Sequence, residues 1–290
     1  MVGGWRAPAR MVLAAGAAGV LFVGAAACGG SDDDGAPAAA TSAPAVAATS
    51  AAPAAAPLTI LVTNDDGVGA AGIDAVAKAL AALPAVTVRI VAPATNQSGT
   101  GGKTSPQPPA HHDATTASGT AATAVDGFPA DSVNVALDTL GVKPNLVVSG
   151  INQGQNLGPV VDLSGTVGAA RAAATRGIPS IATSMGLGSA FDYAQGADLV
   201  VAWVTKHRGE FTGTGSGTAL ASIPNLNIPN CGTTKIRGER ELPTEPTLTD
   251  MSKALTNGQD CSSTETPADE VAAFNAGFAT LTSIPVKPAS

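Results

Sequence analysis

The feature that most constrains the fold of this chain is an alternation of short β-branched, apolar runs with runs of helical periodicity. Residues 58–62 are aliphatic and β-branched and lead into the polar stretch TNDDG at 63–67, which predicts a buried strand that ends in a turn. Apolar residues then recur at helical spacing from Ile73 to Leu83, and residues 86–92 predict a second strand. Strand, helix and strand in this order form a parallel, right-handed crossover.

The alternation continues through the rest of the chain. Helices are predicted at 130–140, 166–176 and 192–207, strands at 146–149 and 178–184, and a glycine-rich loop at 150–165. This pattern predicts an α/β fold of three layers, in which a doubly wound, mostly parallel, Rossmann-like sheet is covered by helices on both faces.

Two stretches depart from the alternation. Residues 105–118, rich in Pro, Ala and Thr, are predicted to be irregular and to precede a strand at 121–125. Residues 209–265, rich in Thr, Pro, Gly and Asn, are predicted to form loops and short strands outside the main sheet, as a small irregular and β appendage. A helix within 268–280 and a strand at 281–286 complete the predicted order.

The beginning of the chain has the pattern of an export signal. Arg6 and Arg10 precede an apolar run at 11–27 and small residues before Cys28. These small residues resemble the lipobox of bacterial lipoproteins, with Ala25 where a leucine is usual, and the resemblance implies acylation of Cys28. An ordinary signal peptide with a chance cysteine and an uncleaved anchor are the alternatives. Residues 29–57, rich in Ala, Pro, Ser and Thr, predict a disordered tether.

The expected organisation is a signal at 1–28, a tether at 29–57 and a folded domain at 58–290. Within the domain we expect a core at 58–230, a variable appendage at 231–265 and a C-terminal helix and strand at 266–290. The expected location is the outer face of the bacterial cytoplasmic membrane, held by the lipid anchor, or the periplasm or cell exterior if only the signal acts.

Charge and cysteines limit the class of partner. The formal net charge of −7 becomes about −9 when two arginines leave with the signal. No basic patch offsets this charge, so polymeric nucleic acid is not an expected partner, whereas a small phosphorylated molecule that meets a metal is allowed. Besides Cys28, the chain has Cys231 and Cys261, an even pair that suits a disulfide in an exported protein; two free buried thiols are the alternative.

Four loops lie where ligands of open α/β sheets bind, and the first two offer oxygen ligands and a cation. In the first, the adjacent carboxylates Asp65 and Asp66 repel each other unless a hard divalent cation lies between or beside them, although a solvated turn has the same sequence. The second, at 92–103, offers hydroxyl and amide oxygens, flexible backbone N–H groups and the cation Lys103.

The third and fourth loops add neutral oxygens and N–H donors. Asn152 and Asn156 complete a metal shell without adding charge, or they cap turns. Ser164 and Thr166 lie at the start of a predicted helix, whose free N–H groups and dipole can form a phosphate-binding site, the predicted phosphate seat. The alternative is that these residues only cap the helix.

Taken together, these loops resemble the SurE family of divalent-metal nucleotidases. The resemblance is carried by LVTNDDGVGAAGI (61–73), VAPATNQSGTG (91–101), GFPADSVNVAL (127–137), the long block at 147–184 and, more faintly, NLNIPN (225–230). It implies hydrolysis of phosphomonoesters, typically nucleoside 5'- or 3'-monophosphates, with one divalent cation, Mg²⁺ or Mn²⁺. It also implies assembly as a homodimer or higher homo-oligomer.

The resemblance assigns roles to individual residues. It implies metal ligands at Asp65, Asp66, Ser98 and Asn152, phosphate contacts at Asn96, Ser98, Gly99, Ser164, Gly165 and Thr166, and catalytic groups at Asp65, Asp66, Asn96 and Lys103. In the implied mechanism the metal binds a phosphate oxygen and polarises a water for in-line attack, while backbone N–H groups and Lys103 or Asn96 stabilise the developing charge. Asp65 as base or nucleophile is an alternative that stays open.

The chain also departs from the family pattern. Family members are usually cytoplasmic, and the arginine common in the second loop is replaced here by Ala94 or Gln97. Lys103 stands where small polar residues are frequent, and Phe128 takes a position usually held by threonine. These differences leave the preferred substrate and the assembly open.

Two rival functions remain. A serine hydrolase would use Ser98 or Ser149, but neither lies in a G-x-S-x-G elbow, and the candidate bases are only His111, His112 and His207. The stronger rival is a non-catalytic lipoprotein that binds nucleotide or metal with the same fold. The presence of all four implied metal ligands favours activity.

Overall fold

The architecture comes from a computed structural model, which describes residues 55–211, 213, 215–244, 251–255 and 258–286. The predicted export signal, Cys28 and almost all of the predicted tether lie outside the described residues. The strands are β1 Leu58–Thr63, β2 Val86–Pro93, β3 His111–Thr115, β4 Ala121–Val125, β5 Leu146–Gln153, β6 Ser180–Met185, β7 Ser222–Ile228, β8 Glu239–Glu241 and β9 Ala279–Pro285. The helices are α1 Ala71–Ala81, α2 Pro129–Asn134, α3 Gly165–Thr175, α4 Tyr193–His207, α5 Met251–Ala254 and α6 Glu270–Asn275.

Shorter turns link some of these elements. A π-helical turn, Val135–Thr139, continues α2, and 3-10 turns cover Gly158–Asp162 and Arg208–Glu210. Among the described residues, none of the helices combines the length and the apolar character needed to span a membrane.

The strands form one sheet in the order β3-β4-β2-β1-β5-β6-β7-β9-β8. The six strands from β4 to β7 in this order run parallel, β3 and β9 each pair antiparallel with a neighbour, and β8 pairs parallel with β9. The chain leaves β1 toward β2 on one side and reaches β5 on the other, so the carboxyl end of β1 is the switch point where open α/β sheets bind ligands.

Helices cover both faces of the sheet. Ile73 of α1 and Trp203 of α4 pack in one apolar cluster, and Val133 of α2 and Ala173 of α3 pack in a second cluster on the opposite face. The predicted fold class, a three-layer α/β fold with a mostly parallel sheet, is confirmed. The predicted strands at 58–62, 86–92, 121–125 and 178–184 and the helix at 192–207 all correspond to elements of the structure.

The prediction that residues 105–118 are irregular is wrong in part, because β3 lies within them. His111, His112 and Asp113 are exposed on this edge strand. Only Ala114 of this strand packs against the core, so the strand has no apolar alternation that a sequence could reveal. The antiparallel pairing with β4 supplies its backbone hydrogen bonds.

The prediction that residues 209–265 lie outside the main sheet is also wrong in part. β7 is an interior strand between β6 and β9, and β8 forms an edge of the same sheet. β7 carries the fully buried Asn225 and Asn227 between apolar residues. Buried asparagines interrupt the apolar run that predicts an interior strand. The predicted loop at 150–165 also begins later than expected, since β5 continues to Gln153.

A disulfide joins Cys231 and Cys261, whose Cα atoms lie 5.6 Å apart. It links the segment that follows β7 to the segment that precedes α6. Beside it, the backbone N–H of Asn230 donates to Oε1 of Gln259 at 2.7 Å. The disulfide therefore closes the appendage on itself, and the hydrogen bond from Asn230 holds it close to the carboxyl end of β7.

Candidate active site

The turn after β1 presents two carboxylates at the switch point of the sheet. The side chain of Asn64 donates from Nδ2 to the carbonyl oxygen of Gly67 at 2.8 Å and accepts from its N–H at Oδ1 at 3.2 Å. Gly67 has φ of 104°, and a Cβ atom there would lie 3.2 Å from the backbone of Thr95. This turn requires glycine, and it holds Asp65 and Asp66 between its two ends.

Asp65 is buried against the beginning of α3. The hydroxyl of Thr166 donates to Oδ1 of Asp65, and backbone N–H groups of Gly165 and Thr166 also stabilise the carboxylate. A Cβ atom on Gly165 would lie 2.8 Å from Cβ of Asp65, so the close approach depends on glycine. Burial raises the pKa of Asp65 above its usual range, and these hydrogen bonds oppose the shift.

Asp66 is less buried and faces the end of β5. Its Oδ2 accepts from the backbone N–H of Gln153 at 2.9 Å. Burial raises the pKa of Asp66 to about 6, with a further contribution from the charge of Asp65, while the hydrogen bond from Gln153 lowers it. None of the ion pairs among the described residues includes either aspartate. The cost of placing two such carboxylates together is removed when a cation binds them.

Asn152 brings a neutral oxygen to the same edge. It lies near the end of β5, after an irregularity in the pairing with β6, and its side chain is largely buried. Its Nδ2 donates to the carbonyl oxygen of Gly154 at 2.6 Å, which identifies the donor end of the amide. The amide oxygen is the end that suits a hard cation.

The loop after β2 is fastened at both ends and exposed in the middle. At its start, the N–H of Gln97 donates to the carbonyl oxygen of Asp65 at 2.7 Å, and toward its end the N–H of Gly101 donates to Leu163 at 3.0 Å. A Cβ atom on Gly168 would lie 2.0 Å from the carbonyl oxygen of Gly101, so the loop packs directly on α3. The loop therefore has a fixed position next to the aspartate pair.

The exposed middle of this loop holds the remaining predicted ligands. Asn96, Ser98 and Gly99 are exposed, and Oδ1 of Asn96 accepts from the N–H of Ser98 at 2.9 Å. Lys103 is also exposed, and none of the hydrogen bonds or ion pairs among the described residues joins its ammonium group to the aspartates. These residues lie where a ligand can reach them from solvent.

The beginning of α3, where phosphate contacts are predicted, also caps its own helix and orients Asp65. Ser164 caps the helix, because its Oγ accepts from the N–H of Val167 at 3.1 Å. The donors of Gly165 and Thr166 are directed to Asp65. The fourth loop therefore orients an aspartate, which a pattern of Ser, Gly and Thr at a helix start does not reveal.

Other chemistry-bearing groups lie elsewhere. His111 and His112 are on the exposed edge strand, and His207 stacks on Trp203 and contacts Glu210. No group of three or more His, Cys, Asp and Glu side chains suited to a metal occurs among the described residues. A cation at the aspartate pair would therefore need hydroxyl and amide oxygens as additional ligands.

Sequence reasoning missed several neighbours of the aspartate pair. Gln153 bonds Asp66 through its backbone, which no side-chain pattern reveals. Tyr193 packs on Phe191 with ring centroids 5.5 Å apart, and burial together with the charge of Asp66 raises the pKa of its hydroxyl. Asn227 bonds Asn156 in the loop that follows Asn152, and two asparagines within an apolar run were its available signal.

Comparison with known proteins gives consistent matches. A sequence model of the family described as "Survival protein SurE" matches residues 60–254. The 5'-nucleotidase SurE of Halobacterium salinarum is 52% identical over 128 residues, 43% of this chain and 46% of that protein. The 5'-nucleotidase SurE of Methanocorpusculum labreanum is 40% identical over 182 residues, 59% of this chain and 66% of that protein.

A solved structure agrees with these matches. The crystal structure of the SurE protein from Aquifex aeolicus aligns with a TM-score of 0.62 at 26% identity, covering 79% of this chain and 94% of that chain. The chain spans about half to two thirds of the length of these two curated relatives.

Proposed function

The chain belongs to the survival protein SurE family, and we propose that it is a metal-dependent phosphatase that hydrolyses nucleoside 5'- or 3'-monophosphates. One observation carries the proposal: two adjacent, largely buried carboxylates lie at the switch point of the sheet, and both have a raised pKa. Several relatives are known as 5'-nucleotidase SurE, which supports the choice of substrate.

The residues present fit one divalent cation, Mg²⁺ or Mn²⁺. Asp65 and Asp66 would supply charge, the Asn152 amide would supply a neutral oxygen from the end of β5, and the Ser98 hydroxyl would supply one from the loop after β2. Hard cations of this kind prefer oxygen ligands. Sulfur and imidazole groups are not part of the described site, which favours these ions over zinc.

In this mechanism the cation supplies charge neutralisation at the phosphate and activation of the attacking water. The chain's own residues hold the reactants. Asn96, the N–H groups near Ser98 and Gly99, and Lys103 bind phosphate oxygens from the exposed loop. Water adds to phosphorus in line with the ester oxygen, which leaves as the nucleoside hydroxyl after taking a proton, so the products are nucleoside and inorganic phosphate.

The surroundings of Asp65 favour a ligand role over a nucleophilic one. Its carboxylate accepts hydrogen bonds from the beginning of α3, and it is almost fully buried. A nucleophile needs an approach to phosphorus, whereas a ligand needs a fixed orientation. The hydrogen bonds that the carboxylate of Asp65 accepts also favour its ionised form, which is the form that binds a cation.

Phosphate release tests the proposal. We expect the full chain, purified in detergent, to release phosphate from nucleoside monophosphates when Mn²⁺ or Mg²⁺ is present, and Asp65→Asn to abolish the release. An aryl phosphate serves as a generic substrate in parallel. A folded protein that releases no phosphate with any metal would support the rival, a non-catalytic lipoprotein that binds nucleotide or metal.

The proposal extends to location and assembly. The signal pattern and Cys28 support export and attachment by a lipid to the outer face of the cytoplasmic membrane. Labelling of cells with radioactive palmitate tests this, since the parent should carry the label and Cys28→Ser should lose it. A parent without the label, or a variant that keeps it, would contradict the lipid anchor. The family resemblance supports a homodimer or higher homo-oligomer, which sedimentation equilibrium measures.

A further inference from the structure

The side-chain amide of Asn227 bonds both backbone groups of Asn156. Its Oδ1 accepts from the N–H of Asn156 at 2.7 Å, and its Nδ2 donates to the carbonyl oxygen of Asn156 at 3.0 Å. Asn227 lies on β7 and is fully buried, and Asn156 lies in the loop after β5 and is 5% exposed. One side chain therefore replaces the pairing that a neighbouring strand would give to this loop residue.

Two more side chains hold the same residue. Asn225 donates from Nδ2 to the carbonyl oxygen of Asn156 at 2.9 Å, and Nδ2 of Asn156 donates to Oγ of Ser184 at 2.7 Å. Both partners are fully buried. A buried polar group that loses its partner is costly, so this network specifies one position of the loop.

The loop held in this way connects Asn152, a proposed ligand of the cation, to the helix that orients Asp65, a second proposed ligand. Four residues before Asn156 lies Asn152, and Gly154 between them donates from its N–H to Met185 at 2.8 Å. After Asn156, a 3-10 turn at Gly158–Asp162 leads to Thr166, which bonds Asp65. Movement of Asn156 would therefore displace both Asn152 and the beginning of α3.

We propose that Asn227 is a positioning residue for the divalent cation: it holds Asn156 so that the Asn152 amide and the beginning of α3 stay at the aspartate pair. The inference rests on the proposed function, since it assumes that the cation binds there. Partners that orient metal ligands typically change metal affinity by about 10- to 100-fold when they are removed.

Asn145, directly before β5 at the amino end of the parallel strands, provides a control that is remote from the aspartate pair. Its Oδ1 accepts from the N–H of Thr59 at 2.8 Å, and its Nδ2 donates to the carbonyl oxygen of Gly213 at 3.1 Å. Asn145→Ser and Asn227→Ser each remove two side-chain bonds to backbone. Because Asn145 is only half-buried and Asn227 is fully buried, the two variants are compared by the Kd for Mn²⁺ and not by the loss of stability.

The test is the affinity for Mn²⁺, measured by electron paramagnetic resonance on the full chain in detergent without substrate, together with the unfolding temperature. We expect Asn227→Ser to raise the Kd for Mn²⁺ about tenfold or more, while Asn145→Ser changes it less than about twofold. An unchanged Kd in Asn227→Ser overturns the inference. Equal losses of affinity in the two variants overturn it as well.

A second variant and a second measurement keep the test decisive. If Asn227→Ser does not fold, Ser184→Ala removes a single bond to Asn156 and should raise the Kd by a smaller factor than the loss of Asn227 would; an unchanged Kd overturns the inference. If the parent chain binds no Mn²⁺, the proposed function fails. Hydrogen exchange of the backbone amides at 152–158 then tests the role of Asn227 independently of metal binding. Unchanged protection of the Asn156 amide in Asn227→Ser would show that Asn227 does not hold the loop.

Discussion

The hydroxyl of Thr166 donates a hydrogen bond to Oδ1 of Asp65, a residue 101 positions earlier in the chain. The contact forms because β1 ends beside the first turn of α3, and glycine at position 165 lets the helix approach the carboxylate. A carboxylate at the beginning of a helix is favoured by the helix dipole and the free N–H groups. The helix therefore orients one of the two aspartates before any cation binds.

Loss of the Thr166 hydroxyl should lower activity. In Thr166→Val the shape is kept but Asp65 loses a donor, and a hydrogen bond to a charged group contributes about 1.5–3 kcal/mol. We expect kcat/KM for a nucleoside monophosphate at fixed Mn²⁺ to fall about tenfold or more. Thr166→Ser, which keeps the hydroxyl, should retain most of the activity. A valine variant as active as the parent would show that the bond does not matter.

The contact between Gly168 and the loop after β2 should be sensitive to one methyl group. Alanine favours helices over glycine, but in Gly168→Ala the new Cβ would lie 2.0 Å from the carbonyl oxygen of Gly101. Overpacking of this kind typically costs about 1–3 kcal/mol, so we expect a lower free energy of unfolding. Gly102→Ala is the control, since nothing lies within 4 Å of its Cβ position. Greater stability of Gly168→Ala, measured in urea, would contradict the described packing.

The aspartate pair should destabilise the metal-free protein at neutral pH. Burial raises the pKa of Asp66 from 3.8 to about 6, so its contribution to stability is fully present below pH 3.8 and is lost as the pH rises through 6. We expect the unfolding temperature in EDTA to fall between about pH 4 and 6.5. Asp66→Asn should reduce this fall and stabilise the metal-free chain at pH 7.5 by on the order of 1–3 kcal/mol.

Asp74 is a control for this pH dependence because its pKa is shifted in the opposite direction from that of Asp66. Burial alone would raise the pKa of Asp74, but hydrogen bonds from Ser118 and Thr116 outweigh it and lower the pKa. Its contribution is present above its unfolded pKa and is lost as the pH falls. Asp74→Asn should therefore leave the change between pH 4 and 6.5 intact. If the unfolding temperatures of Asp66→Asn and of the parent fall equally over this pH range, Asp66 is not the cause of the pH dependence.

The disulfide between Cys231 and Cys261 should contribute substantially to stability. It closes a loop with a sequence separation of 30, and the loss of chain entropy in the unfolded state corresponds to roughly 3–4 kcal/mol. We expect Cys231→Ser combined with Cys261→Ser to lower the free energy of unfolding by about this amount, as measured in urea. Dithiothreitol should do the same to the parent and have no effect on the double variant. An unchanged parent under dithiothreitol would contradict this role.

The sequence predicts the parts of this fold that depend on local patterns. Apolar runs identify β1, β2 and β6, and the position of Asp65 and Asp66 after the first strand identifies them as candidate ligands. β7 could not be recognised in the same way, because its buried asparagines bond a loop that is distant in sequence. The edge strand β3 contacts the core through Ala114 alone, so it has no apolar period.

The candidate site likewise combines features that local sequence patterns predict with features that depend on contacts distant in sequence. Ser164, Gly165 and Thr166 have the residue types of a phosphate seat, and only the three-dimensional arrangement shows that two of them face Asp65. Gln153 contacts Asp66 through a backbone group that every residue except proline has. Residue types therefore indicate the chemistry of a site, whereas the partner of each group depends on how the strands and helices pack.

The most direct test of the account follows Mn²⁺ binding and phosphate release in the same samples. The full chain, freed of metal with EDTA and then titrated with Mn²⁺, is assayed by electron paramagnetic resonance and for phosphate released from a nucleoside monophosphate. We predict that release rises in proportion to bound Mn²⁺, that both saturate at one ion per chain, and that Asp65→Asn loses both. Binding of Mn²⁺ without release from any nucleoside monophosphate, or release that is unaffected by EDTA, would contradict the account.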